Sequence, residues 1–136
     1  MIWMLDTNIL IYLTNRKPGF EKITRRMSGR SPGEVRVSAV TLAELRFGIE
    51  KGEFRTQNKA ALEGLLELLQ VDYFPAAAAQ DFGEIKAHLL SGGKMIGPYD
   101  LLIAAHARRI HAVLVTNNER EFRRVRGLSL QNWLKA

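Results

Sequence analysis

Short apolar runs alternate with stretches of helical period along this chain, and no other feature restricts its fold as much. Ile2-Trp3-Met4-Leu5 is continuously apolar, the pattern of a strand buried on both faces. A helical pattern over 7–16 follows, with Ile9, Leu10 and Leu13 in phase. Pro18-Gly19 breaks it, and 20–28 reads as a basic helix. After the Ser31-Pro32-Gly33 turn, 34–38 alternates polar and apolar as a second strand. Helical patterns over 39–51 and 56–70 come next, then a short strand over 71–74 closed by Pro75. An Ala-rich helix over 76–90 ends at Ser91-Gly92-Gly93, and Gly97-Pro98 opens another. Residues 112–115 form the last clear strand, with a short one expected over 128–130. This order predicts an α/β chain: one three-layer α/β/α domain over 1–136, with a mainly parallel central sheet of four to five strands. At 136 residues the chain is long enough to bury a core for that domain.

In such sheets the ligand site lies beyond the carboxyl ends of the strands. Asp6 directly follows the first strand, Ser38 ends the second, and Thr116-Asn117-Asn118 follows the last clear one. Asp6-Thr7-Asn8 contains three good helix caps where a cap needs one. Glu44 has two readings. With Thr41 it matches a capping box; with Ser38 as the cap it falls in the second turn. Its same-face neighbours are then Val40, Phe47 and Gly48. A carboxylate among apolar and glycine neighbours needs a partner, because burying it bare is costly. Asp100 falls in the first turn after Gly97-Pro98, where a helix dipole favours an acid. Ile103, Ala104 and Ala107 share its face and let another layer come close. Glu119 and Glu121 belong to an alternating-charge stretch, which makes Glu119 a solvated acid by default. Glu121, beside Phe122 and near a strand end, is a plausible fourth acid of the site.

The chain has only four aspartates and a net charge of +6, with pI near 10.0. Acids gathered at one place in a basic protein cannot all ionise without a cation. Oxygen donors select a hard ion, Mg²⁺ or Mn²⁺. The remaining excess of 20 Lys+Arg over 14 Asp+Glu favours a polyanion, with RNA foremost. Arg25 and Arg26 form one candidate contact group, and Arg123 and Arg124 another. Metal-assisted phosphodiester hydrolysis joins the two observations. Thr7, Asn8, Thr116 and Asn118 are then expected to orient water around the acids.

Other classes are poorly supported. The chain has no cysteine, which excludes disulfides and thiolate zinc and fits a cytoplasmic setting. No secretory signal or membrane-length apolar stretch is visible. No glycine-rich turn follows the first strand, and His88, His106 and His111 are scattered, with His106 expected at the edge of the core. A phospho-receiver needs an acidic pair near the first strand, but Asp6 is followed by Thr7 and Asn8. A catalytically silent RNA-binding module of the same fold is the alternative.

Four pieces of sequence carry a resemblance. They are Met4-Leu5-Asp6-Thr7-Asn8-Ile9; Ser38-Ala39-Val40-Thr41-Leu42-Ala43-Glu44-Leu45; Ile96-Gly97-Pro98-Tyr99-Asp100 with Ile103-Ala104-Ala105-His106-Ala107; and Val115-Thr116-Asn117-Asn118 with Glu121-Phe122 and Asn132-Trp133. In this order they resemble the PIN-domain nucleases, and among those the VapC toxins of bacterial toxin–antitoxin pairs. The last two pieces look like the subgroup that cleaves initiator tRNA. The resemblance implies a Mg²⁺-dependent endoribonuclease with metal-site acids at Asp6, Glu44 and Asp100. It also implies a dimeric toxin that acts on tRNA and is inhibited by a small VapB-type antitoxin. Many relatives carry an aspartate where this chain has Asn118, and in the subgroup Glu121 takes its place. Leu42, Leu45 and Ile49 on one helix and Leu62, Leu65, Leu66 and Leu69 on the next are expected to leave a groove for an antitoxin helix.

Overall fold

The computed structural model describes residues 1–135. Five strands form a single parallel sheet: β1 (Trp3–Leu5), β2 (Val35–Ser38), β3 (Gln70–Asp72), β4 (Val113–Val115) and β5 (Ser129–Gln131), in the order β3-β2-β1-β4-β5. The helices are α1 (Thr7–Thr14), α2 (Phe20–Met27), α3 (Ala39–Lys51), α4 (Arg55–Leu66), α5 (Ala78–Ser91), α6 (Pro98–Arg109) and the single turn α7 (Glu119–Phe122).

β1 is central because it is apolar on both faces. Met4 packs into one core with Leu114 and with Ile85, Leu89, Leu101 and Ile103 of α5 and α6. Leu5, pointing the other way, packs with Val115 and with Ile9, Ile23, Leu45 and Leu62 of α1–α4. Met4 and Leu5 are both 0% exposed; truncating Leu5 to alanine would cost roughly 2–5 kcal/mol. These two cores make the three layers that the alternating pattern predicts. The strand order runs outward from β1 in both directions, which places the topological switch, and the crevice that accompanies it, at the carboxyl end of β1.

Three expectations need correction. The third strand lies at 70–72 rather than 71–74, because it is an edge strand with one covered side; Tyr73, placed inside it by the sequence pattern, is 91% exposed. α4 stops at Leu66, and the expected extension to 70 fails because Leu68 faces solvent. The leucine stripes of α3 and α4 mostly pack in the core: Leu45, Ile49 and Leu62 are buried, and Leu42, Leu65, Leu66 and Leu69 are partly so. Leu45, Ile49 and Leu62 form the floor of an open groove beside Thr7 and Glu44, with Phe47 on its rim.

Candidate metal and active site

Asp6 leaves β1 with its backbone still in the sheet, its N–H donating to the Val115 carbonyl at 3.0 Å. Its side chain caps α1, Oδ1 accepting the Ile9 N–H at 2.9 Å. Capping occupies one oxygen only. Thr116, fully buried at the end of β4, donates its hydroxyl to Asp6 and accepts the Asn118 N–H at 2.8 Å. Burial, then the charges of Asp100 and Glu44, push Asp6 up to about 6 against these bonds.

Glu44 is set by Ser38, the N-cap of α3, whose Oγ accepts the Val40 N–H at 3.1 Å. The capping-box alternative is therefore excluded, and Glu44 lies in the second turn. Its expected neighbours Phe47 and Gly48 prove to be exposed, so the face is not the apolar one the spacing suggested. Its partner is Thr7, whose Oγ1 lies 2.6 Å from Glu44 Oε1 and 3.2 Å from Thr41 Oγ1. With one proton to give, Thr7 donates to the carboxylate and accepts from Thr41.

Asp100 follows Gly97 and Pro98 in the first turn of α6. It is half-buried, and burial with the charges of Glu44 and Glu121 pushes it up to about 6. Phe122, 1% exposed, anchors α7 in the core. That anchor separates the two glutamates. Glu121 accepts from Asn118 Nδ2 at 3.0 Å and acts on Asp100. Glu119 instead meets Lys135 at 2.7 Å, Asn132 at 3.3 Å and Arg123 at 3.8 Å, which hold it below the usual carboxylate range.

Asp6 and Asp100 thus line a cavity of about 430 Å³ with Thr7, Asn8, Asn117 and Asn118, while Glu44, on the neighbouring groove, and Glu121 lie close enough for their charges to act on Asp100. Among the described residues none of the four acids has an ion-pair partner. Nor do any three acidic or histidine side chains there already close on a single ion position. The donor set fits a hard divalent cation all the same. Every donor is oxygen, burial and the neighbouring acids hold two carboxyls near 6, and Mg²⁺ commonly takes one or two carboxylates and keeps its waters.

The arginine groups separate. Arg123 and Arg124 line a cavity of about 370 Å³ with His88 and Lys94, and Arg124 Nη1 donates to the Met95 carbonyl at 3.2 Å in the loop that leads to Asp100. Arg25 and Arg26 sit exposed in the last turn of α2, where the chain heads for the amino end of β2. They are not at the acidic edge. Lys94 escaped the sequence reading, although Gly92-Gly93-Lys94 just before the Asp100 motif is a visible signal. Thr41 and the Thr7–Glu44 bond also escaped it, and no local pattern marks a partner 37 residues away.

A parallel sheet with unpaired acids at the carboxyl end of its central strand is an architecture that can hold a divalent cation. The chain belongs to the PIN-domain family, whose pattern matches residues 3–128. It is 47% identical over 133 residues to Ribonuclease VapC2 of Haemophilus influenzae, covering 97% of this chain and 98% of that one. It is 41% identical over 131 residues to the tRNA(fMet)-specific endonuclease VapC of Shigella flexneri, covering 96% and 97%. Among solved structures it is similar to VapBC2 from Rickettsia felis bound to a DNA fragment from its promoter, with a TM-score of 0.89, 36% identity and coverage of 98% and 99%. VapBC-1 from nontypeable Haemophilus influenzae matches with a TM-score of 0.87 and 39% identity over 99% of this chain and 100% of that one. Among the described residues no helix is long and apolar enough to cross a membrane.

Proposed function

We propose that this chain is a Mg²⁺-dependent endoribonuclease toxin that cleaves tRNA, initiator tRNA foremost, in the cytoplasm. It acts as a homodimer and is held inactive by a small VapB-type antitoxin. Asp6 and Asp100 at the switch point of the sheet, with Glu44 and Glu121 near them and none of the four paired to a cation among the described residues, carry the reading. The identity to a tRNA(fMet)-specific endonuclease supports the substrate, and the likeness to VapBC complexes supports the partner.

Asp6, Asp100 and Glu44 would hold the ion, with Glu121 as the fourth acid of the site. The ion supplies Lewis acidity toward the phosphodiester and lowers the pKa of water. Thr7 holds one Glu44 oxygen and leaves the other free. Thr116 fixes Asp6 and, through its bond to the Asn118 N–H, the loop whose side-chain amide steadies Glu121. Asn8 and Asn118, at the mouth of the cavity, offer amides that orient water. Arg123 and Arg124 hold RNA phosphates beside the site, with Arg25 and Arg26 as a more distant contact. The groove beside Thr7 and Glu44, floored by Leu45, Ile49 and Leu62, receives an amphipathic antitoxin helix. An arginine from that partner would pair with the acids in place of the ion.

The test is cleavage of purified total tRNA by the isolated chain, with fragment ends mapped by sequencing. Cleavage concentrated on initiator tRNA is expected, dependent on Mg²⁺, blocked by EDTA and absent in Asp100→Asn. Cleavage that persists in EDTA would overturn the metal reading, and indiscriminate cutting would overturn the substrate.

A further inference from the structure

His106 is a buried ionisable group that the proposed chemistry does not use. It lies in α6, is 0% exposed, and has Nδ1 2.8 Å from the Oγ of Ser38, itself 0% exposed. The edge of its ring meets Phe74 at 5.7 Å between centroids, which fixes the plane of the imidazole. Nε2 is buried with no partner. Burial lowers the pKa of His106 despite the nearby charge of Asp72, so the ring is neutral.

An apolar side chain would fill this position without stranding a nitrogen. The imidazole makes one polar contact, and that contact joins the two helices that carry opposing acids. Ser38 caps α3, which carries Glu44 six residues later; His106 follows Asp100 by six residues on α6. The two acids repel each other, since the charge of Glu44 raises Asp100. That repulsion acts against the approach of α3 and α6 at their acid-bearing ends, where the position of each helix sets the distance between the two carboxylates. The groups are also fully used on the Ser38 side: Oγ accepts the Val40 N–H, and its one proton is free for Nδ1.

We infer that the His106–Ser38 bond is a positioning brace that fixes α3 against α6 and so sets where Glu44 stands relative to Asp100 at the proposed ion site. The inference rests on the metal-dependent reading above and goes beyond it by assigning a task to two residues that touch neither ion nor RNA. The brace acts on affinity for the ion, not on the bond-breaking step.

The test is Mn²⁺ binding to the full chain, followed by the electron paramagnetic resonance signal of free Mn²⁺, alongside thermal melts in EDTA. His106→Phe keeps the ring volume and removes the bond. It is expected to melt in EDTA at or above the wild-type temperature while binding Mn²⁺ at least fivefold more weakly. His106→Asn, which keeps a polar atom near the Nδ1 position, is expected to stay within twofold of wild type. Ser38→Ala breaks the same bond from the other helix and decides the matter if His106→Phe does not fold; the same loss of Mn²⁺ affinity is expected. Wild-type affinity in a folded His106→Phe or in Ser38→Ala overturns the brace and leaves the nuclease reading standing. A wild-type chain that binds no Mn²⁺ overturns the metal reading and the brace with it.

Discussion

Thr7 and Glu44 meet across the space between α1 and α3, the hydroxyl oxygen 2.6 Å from the carboxylate. Thr7 directly follows Asp6, so a single turn of chain fixes one acid and orients another. Partners that orient acidic ligands typically contribute 10- to 100-fold in affinity or activity. Thr7→Val is therefore expected to fold normally and lose roughly 10- to 100-fold in cleavage rate at limiting Mg²⁺. Thr7→Ser should retain most of it. Initial rates across a Mg²⁺ titration check both.

Asp6 and Asp100 are both raised in the folded chain, so their ionisation opposes folding. Below the unfolded value of 3.8 the penalty is absent. Between there and about 6 the native state binds more protons than the unfolded one, and stability falls as pH rises. Above about 6 the penalty is complete, of order 3 kcal/mol for the buried Asp6. In EDTA the melting temperature should drop across this window, and Mg²⁺ should restore it at pH 7.5.

Asp100→Asn removes one repelling charge and, with it, the proposed chemistry. It is expected to abolish RNA cleavage while raising the melting temperature in EDTA at pH 7.5. A loss of activity accompanied by a loss of stability would show that Asp100 serves the fold instead.

Glu121 and Glu119 separate by environment. Glu121→Gln should lower cleavage at least tenfold, since its carboxylate borders Asp100. Glu119→Gln should leave cleavage unchanged, because Glu119 is engaged by Lys135, Asn132 and Arg123. Measuring both variants in one assay checks the register of α7.

Arg123→Glu and Arg124→Glu should weaken RNA binding and reduce its salt slope by about 0.7 for each lost phosphate contact. Arg25→Glu and Arg26→Glu, farther from the acidic edge, should have the smaller effect. Binding isotherms over a range of NaCl concentrations distinguish the groups.

The layered fold was legible because it depends on local pattern, and so were the places of Asp6 at the end of β1 and of Asp100 in the first turn of α6. A strand buried on both faces, such as β1 or β4, shows as an apolar run, and Gly97-Pro98 shows where α6 begins. The edge strand β3 was misplaced because an exposed side imposes no alternation. The environment of Glu44 was misjudged because helical spacing cannot tell which face of α3 the next layer covers. The pairings Thr7–Glu44 and Ser38–His106 join residues 37 and 68 positions apart. Those come from how the helices stack, and no short stretch encodes them.

The placement of β1 also sets how late in synthesis the site can be completed. Trp3 pairs with Val113 and Leu5 with Val115, so the first strand waits for nearly the whole chain before its second neighbour exists. Contacts this distant in sequence form slowly. A nascent chain that has not reached Thr116 lacks the group that steadies Asp6, and it lacks Glu121 altogether. A chain cut short before β4 therefore lacks both the second neighbour of its central strand and the Thr116 hydroxyl that bonds Asp6 in the finished fold.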